Sequence, residues 1–376
     1  MPRALADPAQ VTPAWLADVL RRSGALPRGQ VERVTHSPAP ATTTAMWVLW
    51  PLTIRYSPDA SPAAPPHLLL KLARIDRHQP AFHVLGRSQE VYFYTHIAPA
   101  RAMTAVPFVR CYDAVHDPQA FEDPEVSDAH VLVDDLSRTH WQPEWPLPPP
   151  EPLCDQAVAC VAGLHAAWWQ HQGIAAGGEL DARLAWRLRT ARALGLRGLA
   201  GPGETPIPPF LDFLGDRLSA ARRRVYERLL QVRPSLRAHQ ARAPQTVLHG
   251  DAHWWNFLYP RDPSRDTTRI LDWGSWRTGV ATNDLAYMLA LQWYPERRRR
   301  LERPLLTRYH QRLLAGGVTA YGWEELWTDY RWSVIWGLTK VAQCWAEGWP
   351  TPIWWGHLER ALLAYDDLGC SDLLGA

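Results

Sequence analysis

The stretch "LHGDAHWWNFLY", residues 248–259, packs His249, Asp251, His253 and Asn256 between two apolar flanks. Polar side chains this dense at the junction of two short strands hold a loop together, hold a metal, or do chemistry. The neighbouring residues help to decide. After the turn-rich "RDPSRDTT" (261–268), a second short apolar run, "RILDWG" (269–274), delivers Asp272. The whole island 245–276 has β character and stands between segments of helical pattern on either side.

Asp251 and Asn256 are spaced D-x-x-x-x-N, and Asp272 lies on the next strand. Phosphoryl transfer from a nucleotide needs residues of these kinds. A carboxylate must receive or orient the acceptor hydroxyl's proton, and Asp251 fits that role. Oxygen ligands must hold Mg²⁺ against the phosphates, and Asn256 and Asp272 are hard oxygen donors. A lysine must neutralise phosphate charge. Lys71 lies inside the apolar strand "LLLKLAR" (68–74), an odd place for a charge unless it points at something. Glu90 comes next on a helix expected over "SQEVYFYTHIA" (88–98), and "VLVDDLS" (131–137) can serve as a strand leading into a linker.

The rest of the chain frames these blocks. "VTPAWLADVLRRSGAL" (11–26) reads as a helix, with Thr12 as N-cap, Pro13 at the first helical position and Gly24 as the stop. Residues 45–56 and 66–75 read as strands. The Pro-rich "WQPEWPLPPPEP" (141–152) marks a hinge. Beyond it, 155–172, 209–232 and most of the chain after 283 are helical in pattern. The expected fold class is α+β and two-lobed. A small N-terminal nucleotide-binding lobe (1–136) carries an antiparallel sheet; a larger, mainly helical lobe (137–376) carries one embedded hairpin.

In this order, Lys71, Glu90, "VLVDDLS", "LHGDAHWWN" and "ILDWG" resemble the aminoglycoside phosphotransferase/choline kinase superfamily of protein-kinase-like enzymes. The opening "VTPAWLADVL" and "LVDDLS" look most like its ecdysteroid-kinase-like branch. The resemblance implies Asp251 as catalytic aspartate, Asn256 and Asp272 as magnesium ligands, and Lys71 on the phosphates of ATP with Glu90 as its partner. It implies further that the backbone near Val133 and Asp134 meets the adenine. The phosphate-covering loop would fall in "SPAPATTTAMW" (37–47), which contains no glycine. Thr42, Thr43 and Thr44 occupy its tip, where hydroxyls of Thr43 and Thr44 could donate to phosphate. Trp254 and Trp255 depart from the small residues or proline that many relatives carry before the asparagine. No G-x-x-x-x-G-K-[ST] occurs, and "GPGETP" (201–206) reads as a turn-like loop.

Composition bounds the rest. Forty Lys+Arg against 38 Asp+Glu leave a net charge of +2, which implies no nucleic-acid partner. No stretch reaches the roughly 18 apolar residues of a membrane span, and the start has no apolar leader. Five scattered cysteines without C-x-x-C spacing favour reduced thiols and a cytoplasmic location. Oligomeric state is not legible.

His249 and His165 read as buttressing residues, Asp284 as a helix cap or brace of the catalytic loop, and "RRRR" (297–300) as a solvated helix face. His249, Asp251 and His253 alternate, so a metallohydrolase stays open as a minor reading. Of the 21 tryptophans, those in the C-terminal third read mostly as core. Trp332 and Trp336, one turn apart and just after Glu324, Glu325 and Asp329, are the candidate acceptor wall. The expectation is an ATP- and Mg²⁺-dependent kinase of a small-molecule hydroxyl acceptor, a cyclic or amine-bearing alcohol. An aminoglycoside-type antibiotic phosphotransferase and a non-catalytic nucleotide-binding pseudokinase are the alternatives.

Overall fold

The computed structural model describes residues 3–74, 81–117, 129–174, 178–180, 182–183 and 205–375. The chain divides into two compact units, Met1–Trp141 with Leu258–Ser275, and Gln142–Phe257 with Trp276–Ala376.

The first unit is built on antiparallel strands. Val31–His36 (β1), Thr42–Thr43 (β2), Trp47–Tyr56 (β3), His67–Ala73 (β4), Cys111–His116 (β5) and Ala129–Asp134 (β6) form one sheet. Its order is β1-β3-β4-β6-β5, with β2 on β3. Leu52, Leu68, Leu70, Leu72 and Leu132 pack from this sheet against Leu16 and Leu20 of the helix Pro13–Arg22. That helix begins as its sequence requires: the Thr12 hydroxyl accepts the Trp15 N–H. Alternation along β4 (period two) buries the leucines on one face and turns Lys71 to the other.

The helix over Ala81–Tyr92 starts seven residues before the expected 88 and continues as a π-helical turn, Phe93–Ile97. A three-stranded sheet joins His140–Trp141 (β7), Phe257–Pro260 (β9) and Arg269–Ile270 (β10) in the order β10-β9-β7. That pairing corrects the expected boundary at 136/137. Trp141 lies opposite Tyr259, so the segment 258–275 belongs with the sheet unit, not with the helical lobe.

The second unit is mainly helical: Glu151–Ala167, Ile207–Leu214, Ala220–Arg242, Pro295–Ala315, Trp323–Ala346 and Thr351–Asp367. The pattern read as one helix over 209–232 is broken at Gly215, which has φ +54°, and Ser219 caps the next helix. The strand Gln245–Leu248 (β8) pairs with Arg277–Val280 (β11). The arginine run at 297–300 is a solvated face only in part: Arg299 and Arg300 are exposed, but Arg298 is buried, pairing with Glu302 at 2.9 Å and with Asp367. Of the "GPGETP" loop, residues 201–204 lie outside the described residues. None of the five cysteines forms a disulfide. Among the described residues, no helix is long and apolar enough to cross a membrane.

Candidate active site

In the sheet unit the expected approach of Lys71 and Glu90 is present, at 2.5 Å. Glu90 is fully buried and accepts a second hydrogen bond, from Trp47 Nε1 at 2.8 Å. Lys71 Nζ also lies 5.0 Å from the centre of the Trp47 ring. Trp47 thus organises both charges, a role no motif announced. Burial pushes the Glu90 carboxyl above its ordinary value and the Lys71 charge pulls the other way; Asp272 adds to the upward push.

Asp272 takes a left-handed backbone, φ +65°, which aspartate tolerates better than most residues. The turn after it is pinned on both sides. Trp273 stacks on Phe93 at 3.6 Å, and Gly274 packs so closely on Gly86 of the Glu90 helix that a Cβ there would sit 3.3 Å from the Gly86 carbonyl. The glycine of "ILDWG" is therefore a close-approach residue. Among the described residues, Asp272 has no ion-pair or hydrogen-bond partner.

The Thr42–Thr44 tip forms a tight hairpin rather than an open loop. Thr44 Oγ1 accepts the N–H of Trp47 at 3.0 Å, so its hydroxyl closes the turn, while Thr43 is exposed in β2. At the other end of the sheet, the Asp134 N–H donates to the Arg110 carbonyl at 3.0 Å, and the Asp134 carboxylate accepts from Tyr112 at 2.6 Å. Val133 is paired opposite both Leu69 and Cys111.

The helical unit holds the "HGDAHWWN" loop. β8 ends at Leu248, and Gly250 makes the turn with φ +81°, a conformation that favours glycine. The N–H groups of His249 and Gly250 both donate to the buried Asp284 carboxylate, at 2.7 and 2.9 Å. His165 sits 3.3 Å from the same carboxylate and hydrogen-bonds the Tyr309 hydroxyl at 2.8 Å. Arg277 donates to the Gly250 carbonyl at 3.2 Å. Asp284 is therefore the brace of the loop and His165 its support. Burial works against the Asp284 charge, but the His165 hydrogen bond and the His165 and Arg277 charges outweigh it and hold the carboxyl below its usual range.

Asp251 is positioned by its neighbours in the loop. Its N–H donates to His249 Nδ1 at 3.3 Å, and Asn256 Nδ2 donates to its carbonyl at 2.9 Å and lies 3.4 Å from Oδ2. His253 Nε2 is 3.6 Å from Oδ2. Oδ1 is buried and meets no donor at ordinary hydrogen-bond geometry, although the Tyr287 hydroxyl interacts with this carboxylate and favours its charged form. Burial opposes the Asp251 charge; His253, Lys340 and His249 more than offset it, so the carboxyl is held below its ordinary value. An ionised aspartate with one oxygen in no hydrogen bond of ordinary geometry is equipped to take a hydroxyl proton.

His249, Asp251 and His253 do not form the ligand set that a metallohydrolase would need. Among the described residues, no group of three or more His, Cys, Asp or Glu side chains comes together as one.

Trp254, expected as a departure in the loop, is fully buried: its Nε1 donates to Met288 at 2.9 Å and its ring stacks on Trp293 at 4.6 Å. It anchors the loop on the unit's core. Trp332 stacks on His239 at 5.1 Å, whereas Trp336 lines a cavity of about 360 Å³ together with Arg237 and Arg277.

The profile of the phosphotransferase enzyme family (APH) matches residues 60–327. The chain belongs to that family and is a phosphotransferase with an alcohol group as acceptor. Nothing in the comparisons assigns it to the ecdysteroid-kinase-like branch. No curated protein matches its sequence.

Among solved structures the chain is similar to an ethanolamine kinase of Plasmodium vivax, at 10% identity over 90% of this chain and 85% of that one, TM-score 0.48. It is also similar to a choline kinase from Streptococcus pneumoniae, at 10% identity over 94% and 98%, TM-score 0.44. A type VIII aminoglycoside 3'-phosphotransferase shares 18% identity over 85% and 97%, TM-score 0.38.

Proposed function

We propose that this phosphotransferase is an ATP- and Mg²⁺-dependent kinase of a small-molecule hydroxyl. The observation that carries the reading is Asp251: held ionised, fixed by a braced loop, and with Oδ1 in no hydrogen bond of ordinary geometry. The acceptor oxygen forms the new O–P bond as the bond from the γ-phosphorus to the bridging oxygen breaks. ADP leaves with the electron pair, and the acceptor's proton passes to Asp251.

Lys71, held by Glu90 and Trp47, neutralises nucleotide phosphate; the adenine is left the backbone near Val133 and Asp134 other than the Asp134 N–H, which the Arg110 carbonyl already holds. With Thr44 closing its turn, the exposed Thr43 is the tip hydroxyl left for a phosphate oxygen. Asn256 and Asp272 fit a magnesium ion chemically. The Asn256 amide nitrogen is committed to Asp251, which leaves its oxygen as the donor, and Asp272 has no competing cation among the described residues. When bound, the ion would offset charge developing on the transferred phosphoryl group.

For the acceptor, Trp336 supports a ring-bearing molecule, since an indole face stacks on apolar ring surface. An amine has less support. Asp329, one of the carboxylates expected to seat it, is already bound by His239 at 2.8 Å and Tyr321 at 2.7 Å. An aminoglycoside-type polycation is disfavoured on the same ground, and a pseudokinase by the presence of both Asp251 and Asp272.

The test is ADP release by the purified protein across a library of hydroxyl compounds, with wild type and Asp251→Asn side by side. Loss of a positioned base costs ~10²–10⁴ in rate, with ATP binding retained. A variant that turns over at the wild-type rate would sink the assignment.

A further inference from the structure

Only two of the 40 Lys+Arg residues in this chain are lysines, Lys71 and Lys340. A chain that uses guanidinium almost everywhere keeps a compact ammonium at two positions, and the two groups differ in the ligands they suit. Lys71 has its role above; Lys340 has none.

Lys340 lies on the helix Trp323–Ala346, one turn beyond Trp336. Gly337 of the same turn packs against the π-helical turn Tyr287–Leu291, where a Cβ would come within 2.9 Å of Leu291 Cδ1. Tyr287 opens that turn and sets its ring edge-on to His357 at 5.7 Å. Lys340 Nζ sits 5.3 Å from the centre of the Trp349 ring, whose Nε1 donates to Glu347 at 3.1 Å. Glu347 is thus engaged by the indole, and among the described residues Lys340 forms no ion pair. His357 is buried with Nδ1 unpartnered. Its pKa is pushed down to about 3, by burial first and then by Arg360 and Lys340, so it supplies no compensating or additional charge. The same Lys340 charge helps to hold Asp251 ionised. Alongside, the two cavities lined by Trp336 carry arginine and no aspartate or glutamate among their lining residues.

We propose that Lys340 selects the acceptor by binding its carboxylate while Trp336 covers its ring, so that the substrate is a cyclic hydroxy acid rather than an amino alcohol. The proposal rests on the kinase reading above and names the substrate class of the same site. An ammonium seated over an indole, facing the base Asp251 electrostatically but held in no direct ion pair among the described residues, has its donors left for an anionic group and repels an amine. Trp336, one turn away, is placed for the apolar body of the same molecule.

The experiment uses the full chain and matched trios of alcohols. One trio is hydroxycyclohexane carboxylate, its carboxamide and its aminomethyl analogue; the second is glycerate, glyceramide and aminopropanediol. A phosphate-bearing alcohol is added as a separate arm. Each is assayed for ADP release with wild type, Lys340→Met and Lys340→Arg, with ATP affinity measured in parallel. The expected result is a kcat/KM for carboxylate members at least about tenfold above the amide and amine. Lys340→Met should erase that preference through acceptor KM, leave ATP affinity unchanged and leave the neutral amide's KM unmoved; Lys340→Arg should restore part of it. Preference for amine, amide or phosphate members overturns the proposal while leaving the kinase reading intact. So does a Lys340→Met variant that shifts only the pH profile of kcat, which would make Lys340 a positioning residue for Asp251. Absence of ATP binding by the wild type would overturn the kinase reading itself, and this proposal with it.

Discussion

Asp284 accepts the Gly250 N–H at 2.9 Å from within a fully packed interior. With the His249 N–H at 2.7 Å on the same carboxylate, the turn into Asp251 hangs on one side chain 34 residues further along the chain. Asp284→Ala leaves two buried N–H groups and His165 without their acceptor. An unsatisfied buried group costs about 1–3 kcal/mol, so the variant should melt well below wild type and lose most transfer activity. Near-normal melting and turnover together would show that the loop holds itself.

Asp284 also makes stability depend on pH in one direction. Its folded pKa is depressed, so its contribution is fully present above the unfolded carboxyl value and disappears as pH falls through the lower folded one. The difference in urea midpoint between wild type and Asp284→Asn should be flat from neutrality down to the ordinary carboxylate range and shrink only below it. Asp251 shifts the same way, so the acid limb of kcat should fall below about pH 4 rather than near 6. An acid limb centred near 6 would give the base's role to a histidine.

Lys71 and Glu90 meet in a nearly closed environment, with Glu90 fully buried. Removing one partner of a buried pair costs about 3–5 kcal/mol, because the other charge is stranded. Glu90→Ala should therefore destabilise the protein strongly and raise KM for ATP, while Glu90→Gln, whose single amide oxygen can still accept from Lys71 or from Trp47 but not from both, should do less of both. Thermal shift and ATP titration on the two variants separate these effects. Equal, small losses in both would mean the pair is ornamental.

Activity should vanish on chelation by EDTA and return with Mg²⁺ or Mn²⁺, since Asn256 and Asp272 offer only oxygen. Asp272→Asn should lose metal-dependent ATP affinity yet keep a near-normal melting temperature, because asparagine also tolerates the left-handed backbone and no ion pair or hydrogen bond among the described residues depends on the carboxylate. Full activity after exhaustive chelation would remove the metal from the proposal.

Trp336→Ala should raise acceptor KM more than ATP KM, with a modest drop in melting temperature, since the indole lines a cavity and is only half-buried. If the residue is purely structural, melting temperature falls while acceptor KM in the folded fraction stays put. The two quantities, measured on one preparation, decide.

Much of the site was legible in the chain because its chemistry is local. H-G-D-x-H-x-x-N carries its own turn glycine, the proposed base and a proposed oxygen donor within eight residues, and Thr12-Pro13 writes a helix start in two. A charged residue inside an apolar run, as at Lys71, is anomalous enough to be noticed without coordinates. What stayed hidden was set by contacts between residues far apart in sequence. Trp47 reaches Glu90 across 43 positions, and Gly274 owes its missing side chain to Gly86. Arg298 looks like a solvated charge until Glu302 and Asp367 surround it. The strand 257–260 looks like part of a helical lobe until His140–Trp141 pairs with it. Periodicity and capping act over one or two turns, so they fix which elements form and where they begin. Burial, charge compensation and the identity of a partner depend on which elements pack together, and only the folded chain decides that.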